Sequence, residues 1–257
     1  MSGHEATDHE HDHPIGRRAF LSYTGIGLGA VMLSACRGAA QTGTSIAADN
    51  GSSTSSSPSP MSSSSTSTTS LSGFDDFAAT VRVIADGDFW LIESDGMPSH
   101  NMMVGIQSWQ QQVPTPQPYV GSNAWRLPME PAIAAVPISA KTSLYRGAIA
   151  LAVNGVPIFN ALNNRGDDAF LAGELDEWGG HSGRADDYHY HVAPLHLQKI
   201  VGPSKPIAYA LDGFPIYGST ELDGSSVSGL DEFNGHFDAS GKYHYHGTTT
   251  YPYINGG

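Results

Sequence analysis

The chain has 257 residues and carries 12 Lys+Arg against 25 Asp+Glu, a net charge of −13 with histidine neutral. That balance excludes the basic face a nucleic-acid binder needs to neutralise phosphates, so no nucleic-acid partner is expected. A single Cys excludes an internal disulfide framework and a Cys-rich zinc knuckle. Thirty Gly, 16 Pro and 39% hydrophobic residues point to a turn-rich, mostly β chain with one sizeable core.

Residues 1–36 read as an export signal. Arg17-Arg18 precedes Ala19-Phe20-Leu21 and an apolar stretch from Tyr23 to Leu33, the order of a signal peptide. The run is shorter than the 18–20 or so apolar residues that span a bilayer. The paired Arg followed by Phe-Leu resembles a twin-arginine signal, which implies export in a folded state, often with a cofactor or metal already acquired. Leu33-Ser34-Ala35-Cys36 resembles a bacterial lipobox and makes Cys36 the expected lipidation site, with the bilayer as a partner. His4, His9, His11 and His13 lie upstream of that cleavage point and receive no role in the mature chain. Residues 37–72 read as a disordered linker: 16 of the 20 residues in the block 51–70 are Ser or Thr, too few apolar groups to offset the entropy of ordering.

The folded part is expected at 73–257, a β-rich mixed α+β single domain built from two pseudo-symmetric halves. Thr80–Ala85 and Asp88–Glu93 alternate apolar residues around Asp86-Gly87, which predicts a hairpin. Residues 111–137 carry six prolines and predict an extended surface segment. Ile149–Val153 and Ile207–Leu211 predict short apolar strands. Asp167–Trp178 predicts a helix, with Asp at its start, Leu171, Leu175 and Trp178 along one face, and Gly179-Gly180 ending it.

Two segments of this part match each other, about 145–200 and 205–257. Val153-Asn154-Gly155-Val156-Pro157-Ile158-Phe159 parallels Leu211-Asp212-Gly213-Phe214-Pro215-Ile216-Tyr217 at an offset of 58. Asp176-Glu177-Trp178-Gly179-Gly180-His181 with Tyr188-His189-Tyr190-His191 parallels Asp231-Glu232-Phe233-Asn234-Gly235-His236 with Tyr243-His244-Tyr245-His246 at an offset of 55.

In a strand, residues two apart share a face. His189 and His191 therefore share one face of their strand and Tyr188 and Tyr190 the other, as do His244 with His246 and Tyr243 with Tyr245. Two imidazoles so placed can chelate an ion, and imidazole favours Cu or Zn over Ca or Mg. Two arrangements are open. Both pairs could meet on a pseudo-two-fold axis around one ion, or each half could keep its own site, His181 with His189 and His191, and His236 with His244 and His246. Asp176, Asp212 and Asp231 are candidate outer partners that orient the imidazoles. Gly180 and Gly235 read as turn residues, and His100 and His196, which have no counterparts, as structural. The rival reading is a hydrogen-bonded histidine network in the core. Three functions follow: a metal-binding protein for storage, delivery or sensing; a metal-dependent hydrolase or copper oxidoreductase; or an adhesive surface module.

At these motifs the chain resembles the bacterial YHYH-domain family over about residues 145–257. The resemblance implies a secreted or lipoprotein-type protein and supports the domain more than any activity. Similar sequences often place a Cys in the acidic turn; Trp178 and Phe233 stand there, so no sulfur ligand is expected.

Overall fold

A computed structural model describes residues 70–109 and 112–257. The export signal, Cys36 and the linker up to residue 69 lie outside the described residues. No helix among the described residues is long and apolar enough to cross a membrane.

The expected hairpin forms as β1 (Arg82–Asp86) and β2 (Phe89–Glu93), antiparallel, with Gly87 in the left-handed region that the tight turn requires. The proline-rich stretch is not wholly irregular. It supplies β3 (Trp125–Pro128), which pairs antiparallel with β2 and buries Leu127.

The remaining strands form one eight-stranded sheet: β4 (Ala148–Ala152), β5 (Pro157–Phe159), β6 (Gly180–Ser182), β7 (Tyr188–Tyr190), β8 (Ala208–Ala210), β9 (Pro215–Tyr217), β10 (Gly235–Phe237) and β11 (Tyr243–His246). Their order is β10-β11-β9-β8-β4-β5-β7-β6. In the first half β4–β5 is antiparallel, β5–β7 parallel and β6–β7 antiparallel. In the second half β8–β9, β9–β11 and β10–β11 run through the same three relations. The halves join through antiparallel β4 and β8 at the sheet centre. These two strands are small and apolar on both faces, with Ala150, Leu151, Ala152 and Ala208 fully buried, as a strand covered on both sides must be. Asn154-Gly155 and Asp212-Gly213 turn the two leading hairpins, both glycines at positive φ (81° and 97°). A single buried cluster runs from Phe74, Trp90 and Leu127 to Ile158, Tyr190, Ile216 and Tyr245.

The expected helix at 167–178 does not form. The chain makes turns there, with Gly173 at φ 74°, a conformation that ends a right-handed helix. Of the stripe Leu171, Leu175 and Trp178, Leu175 is buried and Trp178 packs against the core, but Leu171 is exposed, so the three do not share one face. The one α-helix among the described residues is Gln198–Val201. The chain is thus β-rich with little helix.

Candidate metal sites

The acidic turn and the strand after it assemble each cluster. Asp176 Oδ1 accepts from Trp178 N and Gly180 N, and Asp231 Oδ1 accepts from Phe233 N and Gly235 N. Each turn then enters a short strand, β6 or β10, that pairs with the Tyr-His-Tyr-His strand. The register sets His181 opposite His189 and His236 opposite His244. His191 and His246, two residues further on, fall on the same faces. Three imidazoles meet at each place, with ring centroids 4.8, 4.9 and 5.0 Å apart in the first cluster and 4.6, 4.9 and 5.1 Å apart in the second.

The two clusters do not meet each other. Between β7 and β11 the sheet order leaves five inter-strand steps, or about 24 Å at the usual strand spacing. A single ion held by four imidazoles on a central axis is therefore ruled out. Each half has its own set.

Five of the six rings are fixed through Nδ1 to a backbone carbonyl. His181 donates to Glu174 O (2.9 Å), His189 to Asp187 O (3.1 Å), His191 to Asn160 O (2.6 Å), His236 to Ser228 O (3.1 Å) and His246 to Gly218 O (2.9 Å). A carbonyl only accepts, so the hydrogen sits on Nδ1 and the Nε2 lone pair is left free. Nε2 atoms meet in each cluster, His181 and His191 at 3.2 Å in the first and, around the sixth ring, His244 with His236 at 3.0 Å and with His246 at 3.1 Å in the second. Between His181 and His191 there is no hydrogen to share. Ligands about 2.0–2.1 Å from a tetrahedral ion stand about 3.3 Å apart, close to these separations.

Burial favours the neutral form of four of the rings, His181, His191, His244 and His246. His181 is pushed down to about 4, first by desolvation and then by the charge of His189. His191 is pushed well below the ordinary imidazole range by burial and its two neighbours, and His244 and His246 are lowered mainly by burial. Neutral imidazole is the form that binds metal.

The surroundings differ. In the first cluster His189 stacks on Phe159 (3.9 Å between centroids) and His181 on Trp109 (4.5 Å), and all three rings are buried. In the second, Tyr217 stands edge-on to His244 where Phe159 stands in the first half. Glu221 Oε2 lies 3.6 Å from both His236 Nε2 and His246 Nε2, so a carboxylate joins this set. The sequence reading missed Glu221, Trp109 and Phe159. Phe159 and Tyr217 sat in the repeated motif as a visible signal; Glu221 breaks the repeat, and Trp109 lies outside it.

The candidate outer partners serve the opposite face. Asp176 Oδ2 accepts from Tyr188 Oη (2.8 Å) and Met103 N, Asp231 Oδ2 from Tyr243 Oη (2.7 Å), and Asp212 Oδ2 from Tyr245 Oη (3.2 Å). These acids hold tyrosines and turns, and the carbonyls named above take the imidazole N–H groups instead. Gly180 and Gly235 are strand residues, not turn residues. A side chain there would collide with the Tyr188 or Tyr243 hydroxyl as it reaches across to its Asp. His100 also lies on this face: it donates from Nδ1 to Asn101 O, so its Nε2 accepts from Tyr190 Oη at 2.7 Å. Its ring stacks on Trp178 and meets His196 edge-on. The structure brings neither His100 nor His196 into a cluster.

Comparison with curated proteins and with solved structures finds no match. Residues 124–228 match the family described as YHYH protein. The match runs from β3 through the first Tyr-His-Tyr-His motif and stops short of the second, a different span from the 145–257 that the paired motifs suggest. With the imidazoles on one face and the tyrosines on the other, the Tyr-His-Tyr-His motif inside the matched span is the part of the chain that builds the first cluster, and over that span the chain is similar to the YHYH family.

Proposed function

We propose that this is an exported, lipid-anchored metal-binding protein in which each half takes one Cu or Zn ion, for storage, delivery or sensing at the cell envelope. The observation that carries the reading is the trio of imidazoles in each half with Nε2 atoms 3.0–3.2 Å apart, and in the first cluster the carbonyl-bonded Nδ1 atoms of His181 and His191 leave their two Nε2 lone pairs facing one another. A hydrogen-bonded core network would instead alternate donors and acceptors between the rings. The reading treats the halves as pseudo-symmetric copies of one unit, supported by the matching run of strand pairings. Export and anchoring rest on Arg17-Arg18, the apolar run and Cys36. Net charge supports cation attraction: removing residues 1–35, with two Arg and four acidic residues, leaves 10 basic against 21 acidic residues, a net −11.

The test is metal analysis of untagged protein exposed to Cu or Zn and dialysed. Two equivalents are expected, one in His189→Ala, one in His244→Ala and none in the double variant. Less than about 0.2 equivalents, unchanged in the double variant, overturns the reading. A melting temperature unmoved by ion and by chelator does so as well, and returns the clusters to a structural role.

A metal-dependent hydrolase or copper oxidoreductase is the second reading. The second cluster is partly accessible, with side-chain exposure of 17% for His236 and 24% for Glu221, and three imidazoles leave one position of a tetrahedral ion open there if Glu221 serves as a general base instead of a fourth ligand. Turnover of an ester, phosphoester or phenol by metal-loaded protein, abolished in His236→Ala, would favour it.

A further inference from the structure

The face of β11 opposite its imidazoles closes a second space. Tyr243 and Tyr245 line a cavity of about 600 Å³ whose other walls include Ile138, Ile149, Phe214 and Phe237. That volume falls within the roughly 300–1,000 Å³ of small-molecule sites. Ile138 and Phe237 stand at its mouth, each 60% exposed, an unusual outlay of apolar surface for water to cover.

The charged side chains of the cavity are all of one sign. No Lys, Arg or His lines it, whereas Asp212 and Asp231 do. Its donors are already committed: Tyr243 Oη to Asp231 Oδ2, Tyr245 Oη to Asp212 Oδ2 and Gly257 O, and Asn255 Nδ2 to Gly257 O. What the cavity offers a guest is therefore carboxylate oxygen and aromatic faces, inside an apolar wall.

We propose that this cavity binds a small amphiphilic cation, an aliphatic or aromatic body carrying a protonated amine. The ammonium would donate to Asp212 and Asp231 and lie against the tyrosine rings, which attract cations through their negative faces. The body would cover the apolar walls. An anion of the same shape meets two negative charges and no cationic side chain. The proposal does not depend on metal in the imidazole clusters.

The experiment uses the full chain, with chelator and again after metal loading, and three probes with a common body: 4-phenylbutylamine, 4-phenylbutan-1-ol and 4-phenylbutyrate. Calorimetry or ligand-observed NMR is expected to rank the amine at least about tenfold tighter than the alcohol, with the carboxylate weakest. Amine binding should weaken about tenfold in Asp212→Asn/Asp231→Asn, where the amide oxygens still serve the turns. A second variant, Ile138→Arg, sets a cation at an exposed mouth position without touching the core, and should weaken the amine similarly. The proposal is overturned if the carboxylate binds as tightly as the amine, if both variants leave amine binding unchanged, or if no probe binds below about 5 mM. It is equally overturned if the mouth is buried in a dimer at working concentration. Amine binding that persists with chelator separates this result from any failure of the metal reading.

Discussion

Glu221 Oε2 stands equidistant, at 3.6 Å, from the Nε2 atoms of His236 and His246, and no carboxylate stands there in the other half. The offset of 58 that relates Val153 to Leu211 relates Asn163 to Glu221 (163 + 58 = 221). The bridges Leu162↔Asp168 and Thr220↔Ser226 keep the same offset. Asn163 is occupied elsewhere: it donates to Glu174 and accepts from Arg165 N. The second cluster therefore has a fourth, anionic group where the first has none. Glu221→Gln is expected to weaken metal binding at the second cluster by about ten- to a hundredfold, the range seen when a metal site loses a supporting group. Titration in a His189→Ala background isolates that cluster; in a His244→Ala background the same change should have no effect.

Asp176 and Asp231 share a motif position but not an environment. Asp176 is 7% exposed and accepts from four donors, Trp178 N, Gly180 N, Met103 N and Tyr188 Oη. Asp231 is exposed and accepts from three. Asp176→Ala strands buried donors and is expected to cost about 3 kcal/mol, against about 1 kcal/mol for Asp231→Ala, whose donors can turn to water. Urea unfolding of metal-free protein reads the difference. Because neither carboxylate touches an imidazole, both variants should hold two metal equivalents under native conditions. Loss of one equivalent in Asp176→Ala would restore that residue as an orienting partner of His181 or His189.

The glycine before each first imidazole makes a related prediction. A Cβ on Gly180 would lie 2.6 Å from both the His189 carbonyl oxygen and Tyr188 Oη. The carbonyl belongs to the β6–β7 ladder and cannot step aside. The atoms nearest a Cβ on Gly235 belong to the Tyr243 ring and hydroxyl, a half-buried side chain and not backbone. Gly180→Ala should therefore cost about 2–3 kcal/mol and Gly235→Ala about 1 kcal/mol by thermal or urea unfolding. Equal costs would mean that the two turns are equally compliant.

The same residues show how far a one-dimensional reading reaches. Strand alternation alone places His189 with His191 and Tyr188 with Tyr190, and the repeat supplies His181 and His236 as third rings. Separation of the clusters depends on sheet order, which no local pattern encodes: the antiparallel β4–β8 joint puts both leading hairpins at the centre and sends both imidazole strands outward. Misplacement of Asp176, Asp212 and Asp231 has a simpler origin. A backbone carbonyl can hold an imidazole N–H as well as a carboxylate can, and carbonyls leave no mark in a sequence. The failed helix at 167–178 was decided by Gly173, whose positive φ outweighed the spacing of Leu171 and Leu175.

His196 carries the last prediction. Its ring meets Trp178 at 5.0 Å and His100 at 5.2 Å between centroids. Burial pushes it down to about 4, with His100 and Lys199 adding smaller repulsions. An unfolded chain would titrate this ring near 6.5, the ordinary imidazole value. Between 6.5 and 4 the unfolded state therefore holds a proton that the folded state rejects, and stability falls as the pH falls. The contribution is present in full above about 6.5 and is lost on the way down to about 4. With chelator present, the urea midpoint should drop from pH 7 to pH 5, and His196→Phe, which keeps the aromatic contacts and cannot take a proton, should drop less. His100 and the cluster imidazoles shift in the same direction where burial lowers them, so part of the slope survives in the variant. An identical drop in both proteins would show that His196 titrates alike in the folded and unfolded states, and that its place among Trp178, His100 and Tyr190 excludes no proton.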